Sequence, residues 1–390
     1  MKPSLSIHRA VHLAAAPGDS LYVLPGYAAR AGGILLEEIR AESVHFSPTA
    51  GRHYFTRQMI RRRSEDNGRS WRVREEWTAP PGGMREPGEH RHPLGSFLLP
   101  GPDVVVERCT AYTYRPDEPQ FGLGNTIART YRTLLRYSRD AGQTWSDWRQ
   151  AIDARPGHDA RHWAPGVEMG VRGGVGDGQI VLEDDHTVLM GFTIREPQSP
   201  PEDISERARE LYSNVVCARG VWDGARGELT WTFGETIAVP FPEACGGCCE
   251  PALVRMTGGR WMMTMRCQGD AALKIPARRM AAISEDGGRS WGRPFALKYD
   301  DGTPVWMPAS FHRFFVSSRT GRTYLIGNFL PGPVPGQTPR YPLALAEFDP
   351  ARGEVIRATL RVIQDRPADA PEDRRYTNFG EYEDRETGEL

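Results

Sequence analysis

The chain is poor in lysine. Only Lys2, Lys274 and Lys298 stand among its 49 basic residues, so arginine carries almost all of the positive charge. Coding bias accounts for most of this, but the enrichment has a chemical consequence, because guanidinium forks match carboxylates bidentately. There is no charge excess either: the net charge of −1 provides no global field to hold nucleic acid or an anionic membrane. No run approaches the ~20 apolar residues of a membrane span. The opening MKPSLSIHRAVHLAAAPGDS has a short apolar stretch interrupted by His12 and Pro17, a poor export leader, so the expected location is cytoplasmic. Six cysteines in 390 residues exclude a disulfide scaffold. EF-hand loops, phosphate-binding glycine motifs and the HExxH zinc motif are all missing, as is any useful length of helical periodicity.

What is present is a repeat. Ser64-Glu-Asp-Asn-Gly-Arg-Ser-Trp71, Ser138-Arg-Asp-Ala-Gly-Gln-Thr-Trp145 and Ser284-Glu-Asp-Gly-Gly-Arg-Ser-Trp291 all read S-x-D-x-G-x-[S/T]-W. Each follows an extended run: Phe55–Arg63, Tyr131–Tyr137 and Arg279–Ile283. Ser and Asp oxygens close such a turn on local N–H groups, Gly supplies a conformation that a Cβ would penalise, and Trp returns the chain into the next strand. Trp222-Asp-Gly-Ala-Arg-Gly-Glu-Leu-Thr-Trp231 and Phe348-Asp-Pro-Ala-Arg-Gly-Glu-Val355 read as eroded copies. The intact copies resemble the Asp-box (BNR repeat) of the sialidases and their relatives, where it joins the third and fourth strands of a propeller blade.

A second repeat marks innermost strands. Arg91-His-Pro-Leu, Trp163-Ala-Pro-Gly, Cys249-Glu-Pro-Ala and Trp306-Met-Pro-Ala each precede an apolar stretch, and proline suits a strand's first residue. Tyr376-Thr-Asn-Phe-Gly-Glu381 reads as the opening of a last blade, completed by N-terminal strands around Ser4–His12 and Ser20–Leu24. The expectation is a single all-β domain over residues 1–390. It is a six-bladed, sialidase-like β-propeller of four-stranded antiparallel blades, closed by its N- and C-terminal strands; five or seven blades are the alternatives.

Inner strands aim side chains at the axis, so chemistry is sought at their openings. Glu250 begins one strand and Arg266 ends the following one, which places both at one rim. This looks like the sialidase arrangement, in which a Glu assists a nucleophile and an Arg grips the substrate carboxylate. Arg91, with His92 beside it, is similar to the Arg of the family's Arg-Ile-Pro motif, although His replaces Ile and the motif follows the first box. The resemblance implies an acid/base on a later loop, for which Asp117 is the candidate and Glu118 its neighbour. It also implies a further carboxylate-binding Arg, either Arg313 or Arg340, and a tyrosine nucleophile, Tyr376 with Tyr382 competing. A phenol suits attack on an anionic sugar because the neutral group is not repelled.

The function expected is a sialidase-type exo-glycosidase acting on an acidic sugar without a cofactor, its partner a carbohydrate and neither nucleic acid nor membrane. Two other classes remain. A uronic-acid lyase would use histidines near inner-strand openings, and His90, His92, His158 and His162 qualify, with His162 and Trp163 as substrate contacts. A non-catalytic glycan-binding propeller would use exposed Trp163, Trp306 and the arginines. Cys245, Cys248, Cys249 and Cys267 gather in one stretch, free, paired or on zinc; no metal is assigned.

Overall fold

The computed structural model describes residues 6–10, 19–28, 33–45, 54–78, 88–115, 129–195, 212–372 and 374–390. They form five antiparallel sheets in chain order. The first holds β1 (Asp19–Tyr27), β2 (Leu36–His45), β3 (Tyr54–Ser64) and β4 (Arg72–Thr78). The second holds β5 (Gly88–Leu99), β6 (Val104–Tyr114), β7 (Arg132–Ser138) and β8 (Arg149–Gln150). In the third, β10 (Ile180–Asp184), β11 (Thr187–Arg195), β12 (Ser213–Asp223) and β13 (Glu228–Ile237) are joined by the short β9 (Gly174–Val175). The fourth holds β14 (Cys248–Arg255), β15 (Trp261–Cys267), β16 (Arg278–Ser284) and β17 (Phe295–Ala296). The fifth holds β18 (Arg313–Val316), β19 (Thr323–Gly327), β20 (Leu343–Asp349) and β21 (Glu354–Val355), with β22 (Arg361–Gln364) against β20.

The tryptophan-ended turns create this meander. In all three intact copies the Ser hydroxyl accepts the Gly N–H (Gly68 2.7 Å, Gly142 2.7 Å, Gly288 2.8 Å) and donates to the Asp carboxylate two residues on. The same Asp then accepts the N–H and hydroxyl of the following Ser or Thr. These bonds hold Asp66, Asp140 and Asp286 down to about 2, so the turns stay closed through the ordinary pH range. The Trp ring folds back on its own turn, Trp71 Nε1 donating to Gly68 O at 3.1 Å, and it is half-buried. The eroded copies make a simpler turn: Asp223 and Asp349 carboxylates accept two N–H groups each, and Gly227 and Gly353 donate back to the Asp carbonyl at 2.8 Å.

All five turns join third to fourth strands, one per sheet, and this overturns the expectation of six blades. Ser20–Leu24 lies in β1, the inner strand of a complete first blade, and Tyr376–Glu381 forms no strand. Of the proposed Ser4–His12 strand, the described residues 6–10 are not in a strand. Ring closure by strand exchange is absent among the described residues. Instead, the segment 374–390 hydrogen-bonds to both the first blade and the fifth, through Asn67–Asp384 and Ser318–Glu383.

The seams between blades differ in kind. Second and third blades meet through an aromatic cluster in which Trp163 and Phe192 are fully buried and Phe192 lies 4.9 Å from Phe233. Third and fourth share Leu189, Val215, Leu253 and Met263, and fourth and fifth share Met262, Met307, Phe314 and Phe348. The seam between first and second blades is ionic. Buried Arg61 on β3 meets Glu107 on β6 at 2.9 Å and is paired with Glu37, while Arg136 reaches Glu107 at 2.8 Å. Guanidinium groups also lie over Trp145, at 5.6 Å for Arg61 and 4.7 Å for Arg136.

Candidate active site

Successive residues of a strand face opposite sides of its sheet. In Val104-Val-Val-Glu-Arg-Cys of β6, Glu107 therefore points at the first blade and Arg108 at the third. Buried Arg108 donates to Gly176 O at 2.6 Å and Gly178 O at 2.8 Å, clasping the backbone on either side of Asp177. Both glycines are required by close approach: a Cβ on Gly178 would stand 2.6 Å from Gly191 O, and one on Gly176 2.9 Å from Met190. Asp177 is thus held between two clasped carbonyls, and its carboxylate accepts the Thr193 hydroxyl at 2.7 Å.

That hydroxyl also accepts the Glu250 N–H at 3.0 Å, which places the next carboxylate beside Asp177. Glu250 sits in a bulge of β14, where the pairing slips between Cys249 and Ala252, and its φ is +46°. A non-glycine residue in that region is held by its surroundings, and such strain gathers at functional sites. Here Arg266 holds it, donating to Glu250 Oε1 at 2.6 Å from directly across the hairpin, where it pairs with Cys249. Despite burial, the Arg266 charge keeps Glu250 below the usual carboxylate range.

A third carboxylate comes from the tail. Glu381 lies 3.9 Å from Arg313, whose guanidinium donates to Asp177 O at 3.3 Å and stacks 3.9 Å over the Phe311 ring. Burial raises Glu381 to about 7, against the lowering influence of Arg313 and Arg108. Burial and the nearby Glu250 charge raise Asp177 to about 6. Arg195 also faces Asp177, and Arg340 and Arg279 face Glu250; Arg340 is tied to Ala309 O and Gln337 O, and Arg279 to Pro308 O and Ser310 O. Gln179 bridges three blades nearby. Its N–H donates to Pro251 O of the fourth blade, while its amide donates to Phe314 O at 2.6 Å and accepts Phe314 N–H at 3.0 Å on the fifth. Three neighbouring strands are thereby stitched together.

Of the residues singled out from sequence, Glu250, Arg266, Arg313 and Arg340 are brought together. Arg91 is not: its side chain is 49% exposed and pairs at 3.0 Å with Glu89, its same-face neighbour two residues away. His92 is half-buried in β5, where burial lowers it to about 4. Trp163 cannot meet a ligand, because it is fully buried in the seam between second and third blades. His162 pairs with Asp159 at 3.3 Å in its own loop, and His158 leans on Arg155 O. Tyr376 is held through its backbone, donating to Arg340 O and accepting from Asn328, and no hydrogen bond joins its hydroxyl to Glu250. Tyr382 packs edge-on against Tyr27 at 5.9 Å, and burial raises its phenol. Asp117 and Glu118 lie outside the described residues. The cysteines are free, and no group of three metal-ligating side chains occurs among the described residues.

Sequence reasoning missed Asp177, Arg108 and Arg195 and passed over Glu381 inside a segment it had marked. The signals were an acid embedded in Gly173-Gly-Val-Gly-Asp-Gly178 immediately before a strand, and adjacent charges, Glu107-Arg108, inside an apolar strand.

No protein-family model matches the sequence, and no curated protein matches it. Solved structures do resemble the fold. The NanB sialidase of Streptococcus pneumoniae superposes with a TM-score of 0.50 at 9% identity, over 88% of this chain and 61% of that one. The Trypanosoma rangeli sialidase gives 0.50 at 12%, over 90% and 54%. The Hadza microbial sialidase Hz136 gives 0.49 at 13%, over 84% and 56%. The chain thus spans little more than half the length of these structures. The fold resembles the β-propeller of these structures, and the described residues form five blades.

Proposed function

We propose that the chain is a glycoside hydrolase that cleaves a carboxylate-bearing sugar from the end of a glycan in the axial hollow. The reading is carried by the convergence of Asp177, Glu250 and Glu381, from three separate segments, among arginines from four blades. Glycoside hydrolysis needs one carboxyl group protonated and another ionised. Glu381, the most raised, donates its proton to the departing glycosidic oxygen. Asp177, ionised above about 6, meets the developing positive charge at the anomeric carbon, directly or through a water. Glu250, neutralised by Arg266, holds the shape of the site and sets the Asp177 environment.

Acidic-sugar preference is supported by charge. Arg108, Arg195, Arg266, Arg279, Arg313 and Arg340 outnumber the three carboxylates, so the cluster's balance of charge favours an anion.

The test pairs leaving groups. Across methylumbelliferyl glycosides of acidic and neutral sugars, only the acidic ones should be cleaved, with no unsaturated product absorbing near the ultraviolet edge. Glu381→Gln should lose about 10²–10⁴-fold on an alkyl glycoside, which needs a proton donor, yet retain most activity on a dinitrophenyl glycoside, which does not. Equal losses on both would remove Glu381 from the donor role. Turnover of neutral sugars alone would remove the acidic substrate.

A further inference from the structure

The segment that delivers Glu381 is wedged between first and fifth blades. Phe379 lies edge-on to Phe311 at 5.4 Å. Gly380 is pressed on β1, where a Cβ would stand 2.7 Å from Pro25 and 2.9 Å from Val23 O. Glu383 accepts the Ser318 N–H at 3.0 Å and the Ser317 hydroxyl at 3.2 Å, just beyond β18. The chain then makes a turn already met twice. The Asp384 carboxylate accepts the N–H groups of Glu386 and Thr387 at 2.8 Å, and Gly388, with φ +67°, donates to Asp384 O at 2.7 Å. Asp223–Gly227 and Asp349–Gly353 are built the same way and close the third and fifth blades. This third copy closes no blade.

It docks on the first tryptophan-ended turn. Asn67 Nδ2 donates to Asp384 Oδ2 at 2.8 Å and to Glu386 at 3.2 Å, while Asn67 Oδ1 accepts the Tyr27 hydroxyl at 2.7 Å. That hydroxyl in turn accepts the Arg385 N–H at 2.9 Å, and the Arg385 guanidinium lies 4.0 Å over the Tyr27 ring and donates to Gly33 O at 2.8 Å. The positions equivalent to Asn67 in the other two intact turns are Ala141 and Gly287, at φ +56° and +77° against +56° for Asn67. The backbone thus needs no amide there, and the copy that carries one is the copy facing the tail. Asp384 follows Glu381 by three residues, at most about 11 Å of chain, which leaves little slack between clamp and carboxyl group.

We infer that the Asp384–Gly388 turn, held by Asn67, is a positioning clamp that fixes Glu381 in the axial hollow. As a catalytic device it rests on the proton-donor reading above, but as a matter of structure it can be tested without it. The charged groups facing Glu381 are Arg313 on β18 and Arg108 on β6, and on the first-blade side Tyr27 and Glu38 face the neighbouring Tyr382.

The test substitutes Asn67→Ala, which copies the second turn, with Ala141→Asn as the control. Two readouts are taken on the full chain: the titration of Glu381 by carboxyl-carbon NMR, assigned with Glu381→Gln, and kcat/KM against pH on an alkyl glycoside. Freed from the hollow, Glu381 should titrate below about 7, towards its ordinary 4.5. The alkaline limb of the rate profile should move with it, and kcat/KM at pH 7 should fall about tenfold or more. The exchanged pair Asn67→Asp with Asp384→Asn, which restores one donor facing one acceptor, should recover part of both. An unmoved Glu381 titration in a folded Asn67→Ala chain overturns the clamp. A moved titration with an unchanged rate leaves the clamp standing and removes Glu381 from the chemistry.

Discussion

Glu381→Gln should slow turnover of alkyl glycosides and, above neutral pH, make the protein more stable. In the unfolded chain this carboxyl group titrates at its ordinary 4.5, whereas in the folded chain burial holds it at about 7. Below 4.5 it is protonated in both states and exacts no penalty. Between 4.5 and 7 the unfolded chain releases a proton that the folded chain keeps, so stability falls as pH rises; above 7 the loss is complete. A displacement from 4.5 to about 7 corresponds to about 3 kcal/mol at 1.36 kcal/mol per unit, an upper value because the side chain keeps 22% of its exposure. The isosteric amide cannot ionise and escapes that loss. Melting both proteins at pH 5 and pH 8.5 checks it. The wild type should lose more stability across the interval by up to about 3 kcal/mol, seen as a few degrees in a chain this long. Identical pH dependence would show that Glu381 ionises without penalty, and the burial argument would fail.

The rate profile should be bell-shaped, rising as Asp177 ionises near 6 and falling as Glu381 ionises near 7, with Asp177→Asn abolishing turnover; a flat profile from pH 5 to 8 would refute the pairing. Glu107→Ala should cost about 3–5 kcal/mol in denaturant unfolding, because Arg61 and Arg136 lose a shared buried partner; a loss under about 1 kcal/mol would mean that water enters the seam. Gly178→Ala should lower kcat/KM sharply with a destabilisation of about 1–3 kcal/mol, since its Cβ meets Gly191 O and Asp177 must move; unchanged kinetics would show that the site tolerates the shift.

The blade hairpins were legible because each turn is written locally: Ser64, Asp66, Gly68 and Ser70 satisfy one another within seven residues, and nothing distant is needed to recognise them. The Glu250–Arg266 pairing was legible for a related reason, since a single hairpin fixes its register. The blade number was misjudged because Tyr376–Glu381 looks like a strand opening, and only the packing against β1 and Phe311 shows it to be a strap. Arg91 and Trp163 were misplaced because residue type does not say which face of a sheet looks at the axis or at a neighbouring blade. Asp177 was hidden because its role depends on Gly176 and Gly178 meeting the third blade's own second strand and on Arg108 arriving from the second blade.

Burial raises these carboxyl groups, and the same particulars explain why the neighbouring arginines do not offset it. Arg108 crosses from the second blade to the third, Gln179 from the third to the fifth, and Arg313 from the fifth back to the third. Each donates to backbone carbonyls, so the guanidinium charges near Asp177 and Glu381 are partly spent on the frame and cannot fully solvate the acids. Glu250 is the contrast: Arg266 gives it a direct charged bond, and its value falls. Moving a guanidinium from carbonyl to carboxylate would therefore move the acid. In a ring whose blades are stitched together in this way, burial raises the acids and the arginines set how far, so a substrate carboxylate that drew Arg313 away from Asp177 O would retune Glu381 on binding.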